Sequence, residues 1–312
     1  MAHLGVAGVG PIHGQASIDP MNTTQLRTFE ASAGSIDYRL HVPREWAAPR
    51  SLLVLLHGCL QGADDIAAGT RMNQWAEEGG FAVLYPQQDP ARNPQRCWNW
   101  FDTDQQRADG PEVSRIVALL DAVAAELEVP RGGVDLAGMS AGAAMATILA
   151  VTHPDRFHRV ALHSGITWGA ASNVAEGVAA MSTGGPERID LDDPRLAAFA
   201  EASRPERVLV LQGREDPAVA AVNGVRAAAR WVELFGLRGV PLTEGPEAEE
   251  TQAGRQVVTR GWSDAAGDAV VTLVEVVGLG HAWSGGDPAG SYTDPEGPSA
   301  SRMMVEFFQR SP

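Results

Sequence analysis

Short apolar runs alternate with longer amphipathic segments along this chain, which is the pattern of a mostly parallel sheet covered by helices on both faces. The run from Ser51 to Leu56 is apolar almost throughout, as expected for a strand buried on both sides. Four later runs repeat the pattern, whereas the first two strand signals alternate apolar with polar residues, like an antiparallel entry hairpin. We predict an α/β fold.

The predicted elements follow the chain in order. The strands are expected at 25–31, 36–42, 51–56, 81–85, 134–137, 159–162 and 207–211, with a terminal pair at 257–262 and 270–277. The helices are expected at 72–78, 113–127, 141–152 and 224–235, with a closing helix at 298–310.

Two segments interrupt this rhythm. Residues 165–204 are rich in Gly, Ser and Pro and contain short helical pieces near 173–181 and 194–202. An insert that follows a strand lies above the carboxyl edge of the sheet, so we expect either a partial lid over the site or a surface loop. Residues 241–254 are acidic and indicate a solvated connector. We expect a single domain over 25–312 and a flexible leader over 1–24.

Composition excludes several functions. The chain has 312 residues and a formal charge of −15, so it has no basic stripe for nucleic acid. All 24 basic residues are arginine, which excludes a lysine nucleophile. No apolar run approaches the roughly 20 residues that cross a bilayer, and the N-terminus lacks the basic region of a signal peptide. The sequence predicts a soluble protein without a membrane or protein partner and leaves its compartment open.

The chain has two cysteines, Cys59 and Cys97. They either pair in an oxidising compartment or remain thiols in a reducing one. Because each flanks a predicted element of the site, we hypothesise a disulfide between them.

The candidate nucleophile is Ser140, in the sequence Gly138-Met-Ser-Ala-Gly142 between a predicted strand and an alanine-rich helix. A serine on this sharp turn, called a nucleophile elbow, projects its hydroxyl from the sheet. The turn also brings a helix N-terminus behind the serine. The N–H of Ala141 is therefore a candidate donor to the oxyanion of an acyl-transfer intermediate.

A serine nucleophile needs a base and an acid that orients the base. His281 is the best base, since it follows the predicted strand 270–277 on a glycine-rich loop. Asp216 is the best acid, because it follows the strand 207–211 and completes the chain order Ser, Asp, His. Glu215, Asp264 and Asp268 remain as alternatives.

The second oxyanion donor is expected in the loop after the third strand, His57-Gly-Cys-Leu-Gln61. We predict the N–H of Cys59 or Leu60 as this donor, with His57 bracing the loop by hydrogen bonds. For Trp98, Trp100 and Trp283 we predict a shallow apolar platform for an ester chain; the alternative is that they anchor loops in the core.

Five motifs together resemble the polyhydroxybutyrate depolymerase-like and feruloyl or acetylxylan esterase-like α/β-hydrolases. They are Leu56-His-Gly-Cys59, Arg96-Cys-Trp-Asn-Trp-Phe101, Ala137-Gly-Met-Ser-Ala-Gly142, Gln212-Gly213 with Asp216, and Gly280-His-Ala-Trp283 before Gly285-Gly286. The resemblance covers about residues 30–310. Two positions depart from the family pattern: Ala143 stands where relatives often carry glycine, and Gln212 where histidine is usual.

The resemblance implies the α/β-hydrolase fold and serine ester hydrolysis with no cofactor and no metal, by Ser140, Asp216 and His281. The expected substrates are hydroxyalkanoate oligomers or polyester chains. The alternatives are a feruloyl or acetylxylan esterase acting on cell-wall esters, a small-ester carboxylesterase, and an inactive hydrolase fold that only binds.

Overall fold

A twisted sheet of eleven strands runs through the part of the chain that the computed structural model describes, residues 25–48, 50–202 and 207–309. The predicted leader, 1–24, and the last residue of the predicted closing helix, Arg310, lie outside the described residues. The strands of this sheet are β1 Arg27–Ala31, β2 Gly34–His41, β3 Leu52–Leu56, β4 Ala82–Gln87, β5 Val134–Met139, β6 Arg159–His163, β7 Arg207–Gly213, β8 Thr243–Glu244, β9 Ala248–Gln252, β10 Arg255–Ser263 and β11 Ala269–Val276.

Helices and a small second sheet surround these strands. The α-helices are α1 Ala63–Thr70, α2 Met72–Gly79, α3 Pro111–Glu126, α4 Ala141–Thr152, α5 Val174–Thr183, α6 Ala197–Glu201, α7 Val222–Leu237 and α8 Ala300–Gln309. Short 3-10 turns lie at Thr103–Gln106, Pro154–Arg156 and Pro194–Leu196, and strands β12 Trp283–Ser284 and β13 Thr293–Asp294 pair with each other. No helix among the described residues is long and apolar enough to span a bilayer.

The main sheet has the order β1-β2-β4-β3-β5-β6-β7-β11-β10-β8, with β9 paired to β10. Strands β4, β3, β5, β6, β7 and β11 are parallel, and antiparallel strands flank them on both sides. The carboxyl ends of the parallel strands therefore meet at one edge, which is where ligands bind in open α/β sheets. The chain segments that follow β3, β5, β7 and β11 all reach this edge.

Two cores cover the two faces of the sheet. In β3 every side chain is buried, and Leu52, Val54 and Leu56 pack on one face while Leu53 and Leu55 pack on the other. The first face is covered by α3, α4, α6 and α7, and the second by α1, α2 and α8. This double burial is the reason why the strand is apolar throughout instead of alternating.

The structure confirms the entry hairpin, the buried strands and the terminal strand pair, in which β10 runs antiparallel to β11. The prediction of a solvated connector over 241–254 is wrong, because this segment contains β8 and β9, both of which pair with β10. Ala253 and Gly254 turn this hairpin with φ of 49° and 77°, the left-handed backbone that tight hairpins require. The strand was missed because β9 carries exposed acidic residues of low β propensity.

Candidate active site

Ser140 lies between β5 and α4 in a strained backbone conformation, with φ 55° and ψ −122°. Such values are costly for a residue with a side chain and cluster at functional sites. Steric contacts explain why glycine stands on both sides of the serine turn. A Cβ on Gly138 would lie 2.4 Å from the Gly142 carbonyl group, and one on Gly142 would lie 2.3 Å from the Leu56 oxygen. The elbow therefore requires glycine at both positions.

The helix after the elbow also accommodates the methyl group of Ala143. Ala143 is completely buried. A Cβ on Gly165, in the segment after β6, would lie 2.4 Å from the Ala143 Cβ. The missing side chain at Gly165 thus provides the space that the methyl group of Ala143 occupies.

Three side chains from separate strand ends form one hydrogen-bonded chain. The hydroxyl oxygen of Ser140 is 3.0 Å from Nε2 of His281, and Nδ1 of His281 is 2.7 Å from Oδ2 of Asp216. His281 follows β11 and Asp216 follows β7. A Cβ on Gly213 would lie 2.3 Å from the Leu279 oxygen, so this glycine lets the loops of His281 and Asp216 touch.

Both oxygens of the Asp216 carboxylate accept hydrogen bonds. Oδ1 accepts hydrogen bonds from the backbone N–H groups of Ala218 at 2.9 Å and Val219 at 2.7 Å, while Oδ2 faces His281. Burial by itself would raise the pKa of Asp216. The hydrogen bond and charge of His281 and the two backbone donors outweigh burial and lower this pKa below its ordinary value. The group is therefore a carboxylate at neutral pH.

Neighbouring polar side chains fix the two loops, and sequence reasoning did not assign them this role. Gln212 donates from Nε2 to the Val219 oxygen at 2.9 Å and lies 3.4 Å from Oδ2 of Asp216. Glu215, an alternative acid, accepts a hydrogen bond from the N–H of Gly278 and so holds the loop of the base instead. Asp264, another alternative, accepts from Ala266 N–H in its own exposed turn.

The loop after β3 approaches the serine from the side. A Cβ on Gly58 would lie 3.3 Å from the Ser140 Cβ. The N–H of Gly58 donates to Oε1 of Gln61 at 2.9 Å. Within the described residues, the N–H groups of Cys59 and Ala141 have no acceptor. These are two of the three predicted oxyanion donors.

The prediction of Leu60 as an oxyanion donor is wrong. Its N–H donates to the Gln95 oxygen at 2.6 Å, and its backbone takes φ 65°. A donor engaged in a short backbone bond is not available to an oxyanion. Adjacent peptide groups in a tight turn point in different directions, so the sequence could not separate Cys59 from Leu60.

The hypothesised disulfide is present in the structure, where Cys59 is bonded to Cys97. It joins the loop after β3 to the loop between β4 and α3. His57 is completely buried and braces the same junction: Nδ1 donates to the Gly58 oxygen at 2.7 Å, and Nε2 accepts from the N–H of Gln88 at 3.0 Å. Burial lowers the pKa of His57 to about 4, so the ring stays neutral.

A cavity of about 440 Å³ opens beside Ser140 and His281. One part of its wall is polar, with Gln61, Asn93 and Gln95. The remainder is mostly apolar. The larger apolar side chains of the wall are Met139, Trp100, Phe101, Val174, Val178, Met181 and Tyr292.

Of the three tryptophans predicted as a platform, Trp100 lines the cavity and the other two do not. Trp98 is 1% exposed, and its indole N–H donates to the His57 oxygen at 3.0 Å. Trp283 is also 1% exposed; it stacks on His163 and donates to the Ser301 hydroxyl at 3.0 Å. The prediction was wrong for Trp98 and Trp283, which anchor loops in the core.

Tyr292 was missed by the sequence analysis. Its ring meets the His281 ring edge to face at 6.2 Å, and its backbone has φ 52°. The backbone oxygen of the preceding residue, Ser291, accepts a hydrogen bond from Gln61 Nε2. The carboxylate of Asp65 accepts hydrogen bonds from Gln61 Nε2 and from the N–H and hydroxyl groups of Ser291. This network connects the Tyr292 segment to the Gly58 loop. No local motif marks Tyr292, whereas Gln61 directly follows the loop that was already of interest.

Comparison with known proteins agrees with this architecture. The structure of an acetyl xylan esterase from Aspergillus awamori superposes with a TM-score of 0.67 at 18% sequence identity, over 91% of this chain and 98% of that one. This likeness concerns the fold, which is that of the α/β-hydrolases. The sequence profile of the Esterase PHB depolymerase family matches residues 36–256, and the chain belongs to this family.

Two curated relatives are similar in sequence. The poly(3-hydroxyalkanoate) depolymerase C of Paucimonas lemoignei is 28% identical over 83% of this chain and 61% of its own length. The feruloyl esterase B of Neurospora crassa is 28% identical over 46% of this chain and 48% of its own length. The chain thus spans less than two thirds of the length of either relative.

Proposed function

We propose that this protein is a serine carboxylic-ester hydrolase that works through an acyl-enzyme. One observation carries the proposal: Ser140, His281 and Asp216 form a continuous hydrogen-bonded chain, with distances of 3.0 and 2.7 Å, at the wall of a cavity. Membership of the Esterase PHB depolymerase family supports it.

In acylation, the Ser140 oxygen attacks the ester carbonyl carbon while Nε2 of His281 takes the hydroxyl proton. The imidazolium that forms is stabilised by the carboxylate of Asp216, which also fixes the tautomer by accepting from Nδ1–H. The lowered pKa of Asp216 keeps this acceptor ionised. His281 then returns the proton to the departing alcohol oxygen, and in deacylation a water molecule repeats the same steps.

The negative charge on the carbonyl oxygen needs donors that are not already engaged. The N–H groups of Ala141 and Cys59 meet this condition among the described residues. Ala141 is the first residue of α4, so the positive end of the helix dipole adds to its effect. We assign these two amides to the oxyanion hole.

For the substrate, we propose hydroxyalkanoate oligomers or polyester chains. None of the described residues that line the cavity is Asp, Glu or Arg, which suits an uncharged ester chain. The Paucimonas lemoignei relative, a poly(3-hydroxyalkanoate) depolymerase, supports this class. Feruloyl esters are the second candidate, because Trp100 and Phe101 provide aromatic faces on which a phenyl ring can stack.

We further propose that residues 165–202, the described part of the predicted segment 165–204, are a partial lid within the single catalytic domain. Its helix α5 contributes Val174, Gly177, Val178 and Met181 to the wall of the cavity. Access of a chain substrate to Ser140 therefore depends on where α5 lies.

The test compares wild type with Ser140→Ala on a soluble 3-hydroxybutyrate oligomer, methyl ferulate and acetylated xylo-oligosaccharides. We expect kcat to fall by several orders of magnitude on every ester that the wild type cleaves, because the nucleophile is lost. Ser114→Ala, on α3 outside the cavity, is the matched control and should retain activity. Near-wild-type turnover by Ser140→Ala would contradict the mechanism. A folded wild type without activity on any of these esters would favour a binding role.

A further inference from the structure

Helix α5 turns an apolar stripe toward the cavity, and one residue of the stripe, Met181, also packs against the core. Val174, Gly177, Val178 and Met181 follow the spacing i, i+3, i+4, i+7, and all four line the cavity. Val174 is 61% exposed and Val178 is 64% exposed. Two large apolar side chains of the stripe, Val174 and Val178, are therefore left largely uncovered at a cavity beside a nucleophile, and an exposed apolar surface in that position indicates a binding site for an apolar group.

An aromatic pair, Trp100 and Phe101, forms the neighbouring wall of the cavity and comes very close to α5 at Gly177. Trp100 and Phe101 face each other edge to face at 5.6 Å. A Cβ on Gly177 would lie 3.0 Å from the Phe101 Cβ and 3.4 Å from the Trp100 ring. The helix thus rests on the aromatic pair at Gly177, while Val174 and Val178 stay uncovered next to it. The two exposed valines and the aromatic pair thus form an apolar site, in which Trp100 and Phe101 pack directly against α5.

Both ends of α5 are anchored. The Met181 oxygen accepts hydrogen bonds from the N–H of Ala220 and from Asn223 Nδ2, both at 2.8 Å. At the other end, Asn173 caps the helix by accepting from the N–H of Glu176 at 3.0 Å. Ala220 belongs to the loop that carries Asp216. The stripe is therefore held in register with the catalytic acid, and an occupant would meet a preorganised surface.

We propose that this stripe, together with Trp100 and Phe101, binds an alkyl chain next to the scissile ester. The enzyme therefore prefers esters that carry a chain of several carbons to esters with only an acetyl or a methyl group at that position. The proposal rests on the proposed ester hydrolysis. The four α5 residues of the stripe have no polar side-chain group. Sugar hydroxyls buried there would lose their water without gaining a partner, whereas methylene groups gain free energy by leaving water.

The alkyl chain of an ester belongs either to its acyl part or to its alcohol part, and two substrate series separate these sources. The first consists of p-nitrophenyl acetate, butanoate, hexanoate and octanoate; the second consists of methyl, butyl and hexyl acetate. In the series whose chain reaches the stripe, wild-type kcat/KM should rise about fourfold for each methylene group that becomes buried.

The decisive variant is Val178→Asp, which places a charge on the stripe. We expect the ratio of kcat/KM for the longest to the shortest ester to fall at least tenfold in the series that shows the preference. Val178→Thr keeps the shape and should give a smaller loss. Val225→Asp is the matched control: Val225 is 38% exposed on α7 and does not line the cavity, so the ratio should not change.

A flat chain-length profile for the wild type in both series would overturn the proposal. An unchanged ratio in a folded Val178→Asp variant would also overturn it. Failure of the underlying ester hydrolysis has a different signature, because Ser140→Ala would then match the wild type on every ester. A preference in one series that Val178→Asp removes would support the proposal and identify the part of the ester that α5 binds.

Discussion

Asp216 shows how single side chains fix the chemistry of this site. Its Oδ1 is bound by two backbone N–H groups, which leaves Oδ2 directed at Nδ1 of His281. Gln212 supports the same loop by donating from Nε2 to the Val219 oxygen. The carboxamide N–H groups of Gln212 thus help to hold the carboxylate of Asp216 in position.

The geometry around Asp216 predicts the effect of Asp216→Asn. The N–H groups of Ala218 and Val219 would bind the amide oxygen and turn the NH₂ group toward His281. The imidazole would then have to accept at Nδ1 and carry its proton on Nε2, where it cannot take the serine proton. We expect kcat for p-nitrophenyl butanoate to fall by about 10⁴. Asp264→Asn, in an exposed turn, is the control; equal losses in both variants would refute the assignment of the acid.

At the scale of elements, loops from different strands are fastened to each other around Ser140. The Cys59–Cys97 disulfide joins the loop after β3 to the loop after β4, and Gln61 joins the first of these loops to the Tyr292 segment. The two amides that we propose for the oxyanion hole belong to different elements, α4 and the loop after β3. Their relative position therefore depends on these connections as much as on the elbow itself.

Removing the disulfide by Cys59→Ser with Cys97→Ser tests this dependence. The bond closes a loop with a sequence separation of 38 residues, for which loop entropy predicts a loss of about 4 kcal/mol in the free energy of unfolding. We also expect kcat to fall, since the amide of residue 59 becomes less well positioned. Urea unfolding and ester assays should show these losses, and dithiothreitol should affect only the wild type. Unchanged stability and kcat in the double variant would show that the other contacts suffice.

At the scale of the whole molecule, the sequence predicts where strands end but not where side chains point. The strand runs and their glycine-rich ends were enough to predict that Ser140, Asp216 and His281 meet at one sheet edge. Trp98 and Trp283 lie in equally suggestive loops, yet both turn into the core. The apolar spacing on α5 was visible in the sequence. Its orientation toward the cavity was not, because it depends on how α5 packs against Trp100 and Phe101.

The sheet also contains a carboxyl group remote from the catalytic edge that affects the whole fold. Asp135 lies in β5, next to Leu53 of β3, and its Oδ1 has no hydrogen-bond partner among the described residues. Burial raises the pKa of Asp135 to about 7, although the charge and backbone of Arg159 partly oppose this effect. Between about pH 4 and pH 7 the folded protein therefore retains a proton on Asp135 that the unfolded chain, with a pKa near 4, has already released.

Because the folded pKa is the higher one, the stability due to Asp135 is fully present below about pH 4 and is lost as the pH rises to 7. Asp135→Asn removes the titration. Its free energy of unfolding relative to wild type should therefore be higher at pH 8 than at pH 5, by about 3 kcal/mol. Urea unfolding at the two pH values measures this difference, with Asp155→Asn at an exposed position as the control. The same difference at both pH values would mean that Asp135 is ionised in the folded protein throughout this range.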